Sequence, residues 1–328
     1  MSSTAKQIQR IPLVKIGQDA LTRFSLDAPP ATLAESIKEL GITHPLLLAP
    51  QGENYQIVCG HRRAECARRL GMDTVPAFVP ASAPSPADAI LRNLTENRPH
   101  RVYSDMEKAL IIRKLAGAAV REKEIIQEYL PRLDLERSKK LFEDLKQCAG
   151  FSESLALLLH QLNLPLRVLT PLFRWDADSR NALEPLLAAL RPGVNKCREL
   201  IELADETAVK DGEPPRALLN RDAIQKPLQD ADLSSHEKYD AIHKQLRLWR
   251  YPVLTDLQRR VYRAIDQLQL DGRIQLRTPQ NFEGDRFKIE LTFTTREELV
   301  QQVERLFRVT DAEALDDLIQ IFREISKG

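Results

Sequence analysis

The sequence predicts a multidomain α+β protein: an α/β N-terminal domain, an all-α middle domain, and a C-terminal domain of helices with a ββα unit. Three observations predict it. Short apolar runs alternate with helical patterns through residues 8–103, strand signals are almost absent from 104–205, and two alternating runs, "RIQLRTP" and "RFKIELTFT", stand near the C-terminus. The corresponding boundaries are 1–103, 104–205, a polar, proline-bearing linker at 206–235, and 236–328.

In the first domain "IPLVKI" (Ile11–Ile16) reads as a strand. "ATLAESIKELG" reads as a helix, with Leu33, Ile37 and Leu40 on one face and Gly41 as its stop. "PLLLA", "YQIV" and "TVPAFV" are short buried-strand runs, and "AECARRLG" is helical. "ADAILRNLTEN" is a helix that must end before Pro99, because the residue ahead of proline disfavours the α region. In the middle domain Ser104 and Glu107 have capping-box spacing at the start of "DMEKALIIRKLAGAA", and further helical patterns continue to "NKCRELIELA". In the last domain two helices precede the strand pair, whose turn is assigned to Glu283-Gly284-Asp285, and two amphipathic helices close the chain.

The 328 residues carry 48 Lys+Arg against 47 Asp+Glu, a formal charge of +1, so polyanion binding must come from local patches. "MSSTAKQIQR" lacks an apolar leader, and no run is long enough to span a bilayer, so no membrane partner is expected. Cys59, Cys66, Cys148 and Cys197 form no CxxC pair, which argues against a zinc ribbon or disulfide framework and suits a reducing cytoplasm.

Chemistry concentrates in "YQIVCGHRRAECARRLG". A strand that ends at Cys59-Gly60 and feeds a helix near Arg62 aims backbone N–H groups at an anion, with Arg62 and Arg63 as guanidinium forks. The plainer alternative is a turn with solvated charges. Cys59 at a strand end and Cys66 within the helix read as small core residues rather than thiolates. About 35 residues on, in "LTENRPHR", Glu96 and Asn97 offer two oxygens of the kind Mg²⁺ accepts beside phosphate; alone they would be a solvated helix end.

Gly41, Pro45, Gly60, Arg62, Arg63, Gly71, Val75 and Pro76, followed by Glu96, Asn97, Glu107 and Ala109, make the chain resemble the ParB family of partition proteins over about 11–110. The resemblance implies the ParB/sulfiredoxin-like fold and a nucleotide site for CTP formed by Gly60, His61, Arg62, Arg63, Glu96, Asn97 and His100. Within it Glu96 and Asn97 would hold Mg²⁺. It also implies a homodimeric, clamp-type switch in chromosome or plasmid partition, cytoplasmic and nucleoid-associated, with double-stranded DNA and a partition ATPase or other protein as partners. His61 stands where many members carry Glu, and His100 where they carry Arg, with Arg101 one residue late; turnover is thus less secure than binding, and the catalytic residues, if the chain is a weak CTPase, are unknown. Sulfiredoxin places its cysteine between glycine and histidine, unlike Cys59 here.

The family's helix-turn-helix corresponds to "REKEIIQEYLPRLDLERSKKLFEDL", with a turn at Pro131–Leu133 and Asp134 as N-cap of the second helix. Arg132, Arg137, Ser138, Lys139 and Lys140 become the DNA-contacting candidates. Residues 121–147 nonetheless balance seven Lys/Arg against seven Asp/Glu. A second basic stretch, 244–263, interleaves arginines with Trp249, Tyr251 and Tyr262 and reads as an amphipathic helix sooner than a strand-binding surface. The terminal strand–turn–strand–helix resembles the ParB dimerisation domain. Two other readings are a CTP-gated interaction adaptor without sequence-specific DNA binding, and a phosphotransferase or nuclease with His61 or Glu65 as base.

Overall fold

The computed structural model describes residues 7–18, 21–270, 272–279 and 286–325. It is mixed α/β, mostly helical, and divides into two compact units, 1–242 and 243–328.

The first unit begins with a four-stranded sheet in the order β1-β4-β2-β3: β1 (Ile8–Pro12), β2 (Leu46–Gln51), β3 (Asn54–Cys59) and β4 (Thr74–Phe78). β1 runs antiparallel to β4, β4 parallel to β2, and β2 antiparallel to β3. The first strand starts three residues earlier than the apolar run suggests, and Leu13–Lys15 turns instead into a 3-10 helix. As an edge strand paired only with β4, β1 exposes Ile8, Gln9 and Arg10 and so lacks a buried period of two.

Both sheet faces are covered. Helices α1 (Ala31–Leu40) and α2 (His61–Arg69) lie to one side, where Ala64 and Ala67 pack with Ile11, Leu46, Leu48, Ile57 and Val75. On the other side Ala89 of α3 (Pro86–Asn97) meets Ala49, Val58 and Cys59. One strand end therefore faces α2 and α3 together.

Helices complete the unit. α4 (Asp105–Gly117) begins with the expected capping box of Ser104 and Glu107. α5 (Glu122–Glu124) passes into a π-helical turn at Ile125–Tyr129 and a 3-10 turn at Leu130–Leu133. Pro131 has no N–H for an i−4 bond, which accounts for the loss of regular α geometry here. Then follow α6 (Lys139–Cys148), α7 (Glu153–Gln161), α8 (Leu166–Leu169), α9 (Ala177–Leu190) and α10 (Val194–Asp211).

Residues 206–235 are not an unstructured linker. They hold the end of α10, α11 (Pro215–Leu219) and α12 (Asp222–Gln229), anchored by buried Leu218, Leu219 and Ile224. Pro215 occupies the first helical position, where its missing N–H costs nothing, so it marks a helix start rather than a break. α13 (Ser235–Arg250) follows, and the two units divide within it, after Ile242.

In the second unit α14 (Pro252–Gln267) and α16 (Glu313–Ile325) pack through Val261, Ala264, Leu318, Ile321 and Phe322 against the hairpin residues Leu276 and Phe287. β5 (Ile274–Arg277) pairs antiparallel with β6 (Lys288–Leu291), Ile274 opposite Leu291. The expected turn at Glu283–Asp285 lies outside the described residues. α15 (Arg296–Val309) starts at a Thr295 cap. No helix among the described residues is long and apolar enough to cross a membrane.

Candidate nucleotide site

Gly60 caps α2 with φ 102°, a left-handed conformation that L side chains rarely adopt. A Cβ there would lie 3.0 Å from Cγ of Leu46, which is fully buried. Ala64 N–H makes the first bond back to Gly60 O, and no side chain caps the helix, so the amides of Arg62 and Arg63 have no intrahelical acceptor. The local geometry is an anion cradle of backbone donors at a nine-residue helix.

Arg63 is built into the cradle floor. Its Nη1 donates to the carbonyls of His44 and of Pro45, the latter at 2.9 Å, and its Nη2 lies 3.7 Å from Glu96 Oε1. Burial pulls its pKa down while Glu96 pulls it back up. The structure therefore brings Gly60, Arg63 and Glu96 together. Cys59 joins them: burial, then a hydrogen bond to Glu96 and its charge, push the thiol far up, so Cys59 is a protonated packing residue and no thiolate. All four cysteines are buried and free.

Asn97 donates its amide to Asn93 O (2.8 Å) and Asn93 Oδ1 (2.9 Å), which leaves its own Oδ1 as the ligand-type atom next to Glu96. Asn93, which sequence reasoning passed over, is buried and donates to Val58 O and Thr22 O, tying α3 to the strand end that leads into Gly60. A buried amide flanked by apolar helix positions is the signal that marks it. Among the described residues there is no cluster of three or more His, Cys, Asp or Glu. A divalent cation here would thus rely on Glu96, Asn97 and ligand oxygens, which is how Mg²⁺ is held beside phosphates.

His61 Nε2 lies 2.9 Å from Thr22 Oγ1. That hydroxyl gives its proton to Ile57 O, so it accepts from His61 and fixes a proton on Nε2. Glu65 is held by Arg23 at 3.1 Å and by Arg69. His100 is exposed on the turn after α3, with its N–H on Asn97 O, so its backbone rather than its ring ties it to the cradle region. Arg101 does not take over the missing position as a free cation: it is paired with buried Glu107, which also accepts from Leu26 N.

In the DNA candidate segment, Asp134 is not an N-cap. It adopts a left-handed conformation that ends the 3-10 turn, because Ser138 supplies the cap instead, its Oγ accepting from Leu141 N. Arg137 precedes α6 and donates to Gln127 O; Lys139 and Lys140 occupy the exposed first turn. Arg132 pairs with Glu128 at 3.2 Å and Lys140 with Asp144 at 2.9 Å.

Residues 1–98 match the family model for the ParB N-terminal domain. The chain is 30% identical over 128 residues to the chromosome-partitioning protein Spo0J of Thermus thermophilus, covering 38% of this chain and 46% of that protein. It is 27% identical over 217 residues to stage 0 sporulation protein J of Bacillus subtilis, covering 64% and 68%. The match thus spans less than half the length of the Thermus relative. A solved structure, C-terminally truncated ParB from Caulobacter crescentus complexed with CTP-gamma-S, covers 65% of this chain at 21% identity with a TM-score of 0.27.

Proposed function

From a chain that carries a ParB N-terminal domain and is a divergent member of the ParB family, we propose a partition-type protein that binds CTP with Mg²⁺ at the Gly60 cradle and binds DNA through its helical segment. The observation that carries the proposal is the meeting of the two motifs. Gly60 and Arg63 at the α2 N-terminus face Glu96 and Asn97 at the α3 C-terminus, so phosphate donors and cation ligands converge from opposite sheet faces on one strand end. Arg62 and Arg63 would take phosphate oxygens, and Glu96 and Asn97 would hold the cation beside them. Mg²⁺ supplies charge neutralisation of the phosphates. His61, held by Thr22, bounds the site beside the helix start.

Isothermal titration of the full chain with CTP, GTP, ATP and UTP in Mg²⁺ tests this. Preferential CTP binding is expected, and Arg62→Ala should weaken it by about tenfold to a hundredfold, the worth of one or two charge-assisted bonds. Equal or absent binding of all four nucleotides refutes the reading.

DNA binding rests on Ser138, Lys139 and Lys140 at the start of α6, with Arg132 and Arg137 on the preceding turns. A second reading, an adaptor gated by CTP, is favoured by one observation: the ion pairs of Arg132 with Glu128 and Lys140 with Asp144 neutralise much of that surface. Discrete sites in a genomic pull-down support the first reading, and their absence the second.

Dimerisation is proposed for the second unit. Val300, Val303 and Phe307 stand exposed at 48%, 50% and 74% along one face of α15, with Ile289 and Phe293 of the β6 region also exposed. A dimer would couple two cradles, as a clamp-type switch requires.

A further inference from the structure

An amphipathic helix should turn its aromatic rings inward with the rest of its apolar face, and α14 does not. Leu257, Val261, Ala264 and Ile265 pack toward α16 and the hairpin. Tyr262, the residue after Val261, stands on the other side of the helix and is 72% exposed. Among the described residues it has neither a hydrogen bond nor a ring partner. Core packing therefore does not account for this ring.

Its surroundings do. A groove of about 750 Å³ opens between α13 and α14, and its lining residues all fall between 243 and 266, inside the second unit. α13 brings Lys244 and Arg247 to the groove, and α14 brings Arg259, Tyr262 and Arg263, with Asp266 as the one acid among the lining residues. Four cations against one carboxylate make the groove positive although the chain as a whole is near neutral. Arg259 has only a 3.9 Å contact with Asp256, and Lys244, Arg247 and Arg263 have no ion-pair partner among the described residues. Arg260, one residue on from Arg259, is turned instead to Glu324 of α16 at 3.2 Å. The cation directed at the core is thus neutralised, and those in the groove are left open. Arg259 and Arg263 also stand one helical turn apart, where like charges repel until an anion lies along them.

We infer that this groove binds single-stranded nucleic acid, with Lys244, Arg247, Arg259 and Arg263 on the phosphates and Tyr262 stacked on a base. A cationic groove alone would suit any polyanion, and the ring narrows the choice. Duplex bases are paired and stacked on one another, so they cannot lie flat on a tyrosine, whereas every unpaired base has a free face to offer it. The site lies apart from the Gly60 cradle and from the α6 segment, both in the first unit, and depends on neither the CTP nor the duplex reading.

The test is fluorescence anisotropy of the full chain with a fluorescein-labelled oligothymidylate, which forms no duplex, and with a duplex of random sequence, each over a salt series. The wild type is expected to bind the oligothymidylate at low salt. Tyr262→Ala should weaken that binding by about tenfold, the worth of one stacked base, while Tyr262→Phe retains it and neither variant changes duplex affinity. Replacing Arg259 and Arg263 together by alanine should reduce the magnitude of the slope of log K against log salt by about 1.4, near 0.7 for each single-strand phosphate no longer neutralised. All three side chains are exposed, so circular dichroism should be the same for every variant. A wild type that leaves the oligothymidylate unbound, or a Tyr262→Ala variant that binds it as the wild type does, overturns the inference. Equal losses on both probes from the arginine variant, with Tyr262→Ala silent on both, also overturn it and make the groove a face for duplex backbone.

Discussion

At Gly60 two constraints coincide on one residue. The φ of 102° alone strains any L side chain, and a methyl group would meet Leu46 Cγ at 3.0 Å, a contact that forces the neighbour to give by a few tenths of an ångström. Gly60→Ala is therefore expected to destabilise the N-terminal sheet by about 1–3 kcal/mol, the cost of a residue held in a sparsely populated conformation, and to tilt the α2 amides away from the ligand. Thermal melting and nucleotide titration of the same variant check both parts; a stable variant with full CTP affinity would show that the cradle tolerates a side chain. This residue is legible in sequence because a glycine between an apolar run and a pair of arginines has few other uses. Asn93 is not. Its role depends on hydrogen bonds made across 35 or more residues of chain, which no local pattern encodes.

At the scale of elements, caps and stops are readable and irregular turns are not. Gly41 ends α1 with φ 70°, and Ser104 opens α4 with both bonds of its box, because these signals act within four residues. The segment 122–138 reads in sequence as one helix and a short turn, and the structure departs from that. Its apolar spacing through Ile125, Ile126, Tyr129 and Leu130 is helical, yet a π turn, a 3-10 turn and a left-handed Asp134 intervene before α6. The consequence is functional. Lys139 and Lys140, rather than Arg137, begin the helix, so they present the cations at its exposed first turn. Replacing both by alanine should weaken duplex binding and reduce the magnitude of the slope of log K against log salt by about 2, near 0.9 for each phosphate no longer neutralised. Fluorescence anisotropy over a salt series measures this, and an unchanged slope would assign DNA binding to another element.

For the whole molecule, the second unit poses the question of what covers its apolar face. The core formed by α14, α16 and the hairpin takes up Leu276 and Phe287, but β6 and α15 leave Ile289, Phe293, Val300, Val303 and Phe307 largely in water. Residues 300, 303 and 307 follow the three- and four-residue spacing that aligns side chains on one helix face, so the exposure is a stripe and not scattered single residues. A two-stranded hairpin is also marginal by itself, which adds a reason for a partner to lie against it. With a second copy seated there, burying a Phe307 side chain in each protomer contributes roughly 1.5–3 kcal/mol per chain. Phe307→Glu places a carboxylate in that stripe on both sides of a two-fold interface, so the penalty is incurred twice. Sedimentation equilibrium should find the wild type dimeric and the variant monomeric at micromolar concentration, with circular dichroism unchanged. The same variant should keep CTP affinity at the isolated cradle while losing any cooperativity between cradles, because the cradle lies wholly within the first unit. A wild type that sediments as a monomer would leave the stripe to another protein and remove the clamp from the function.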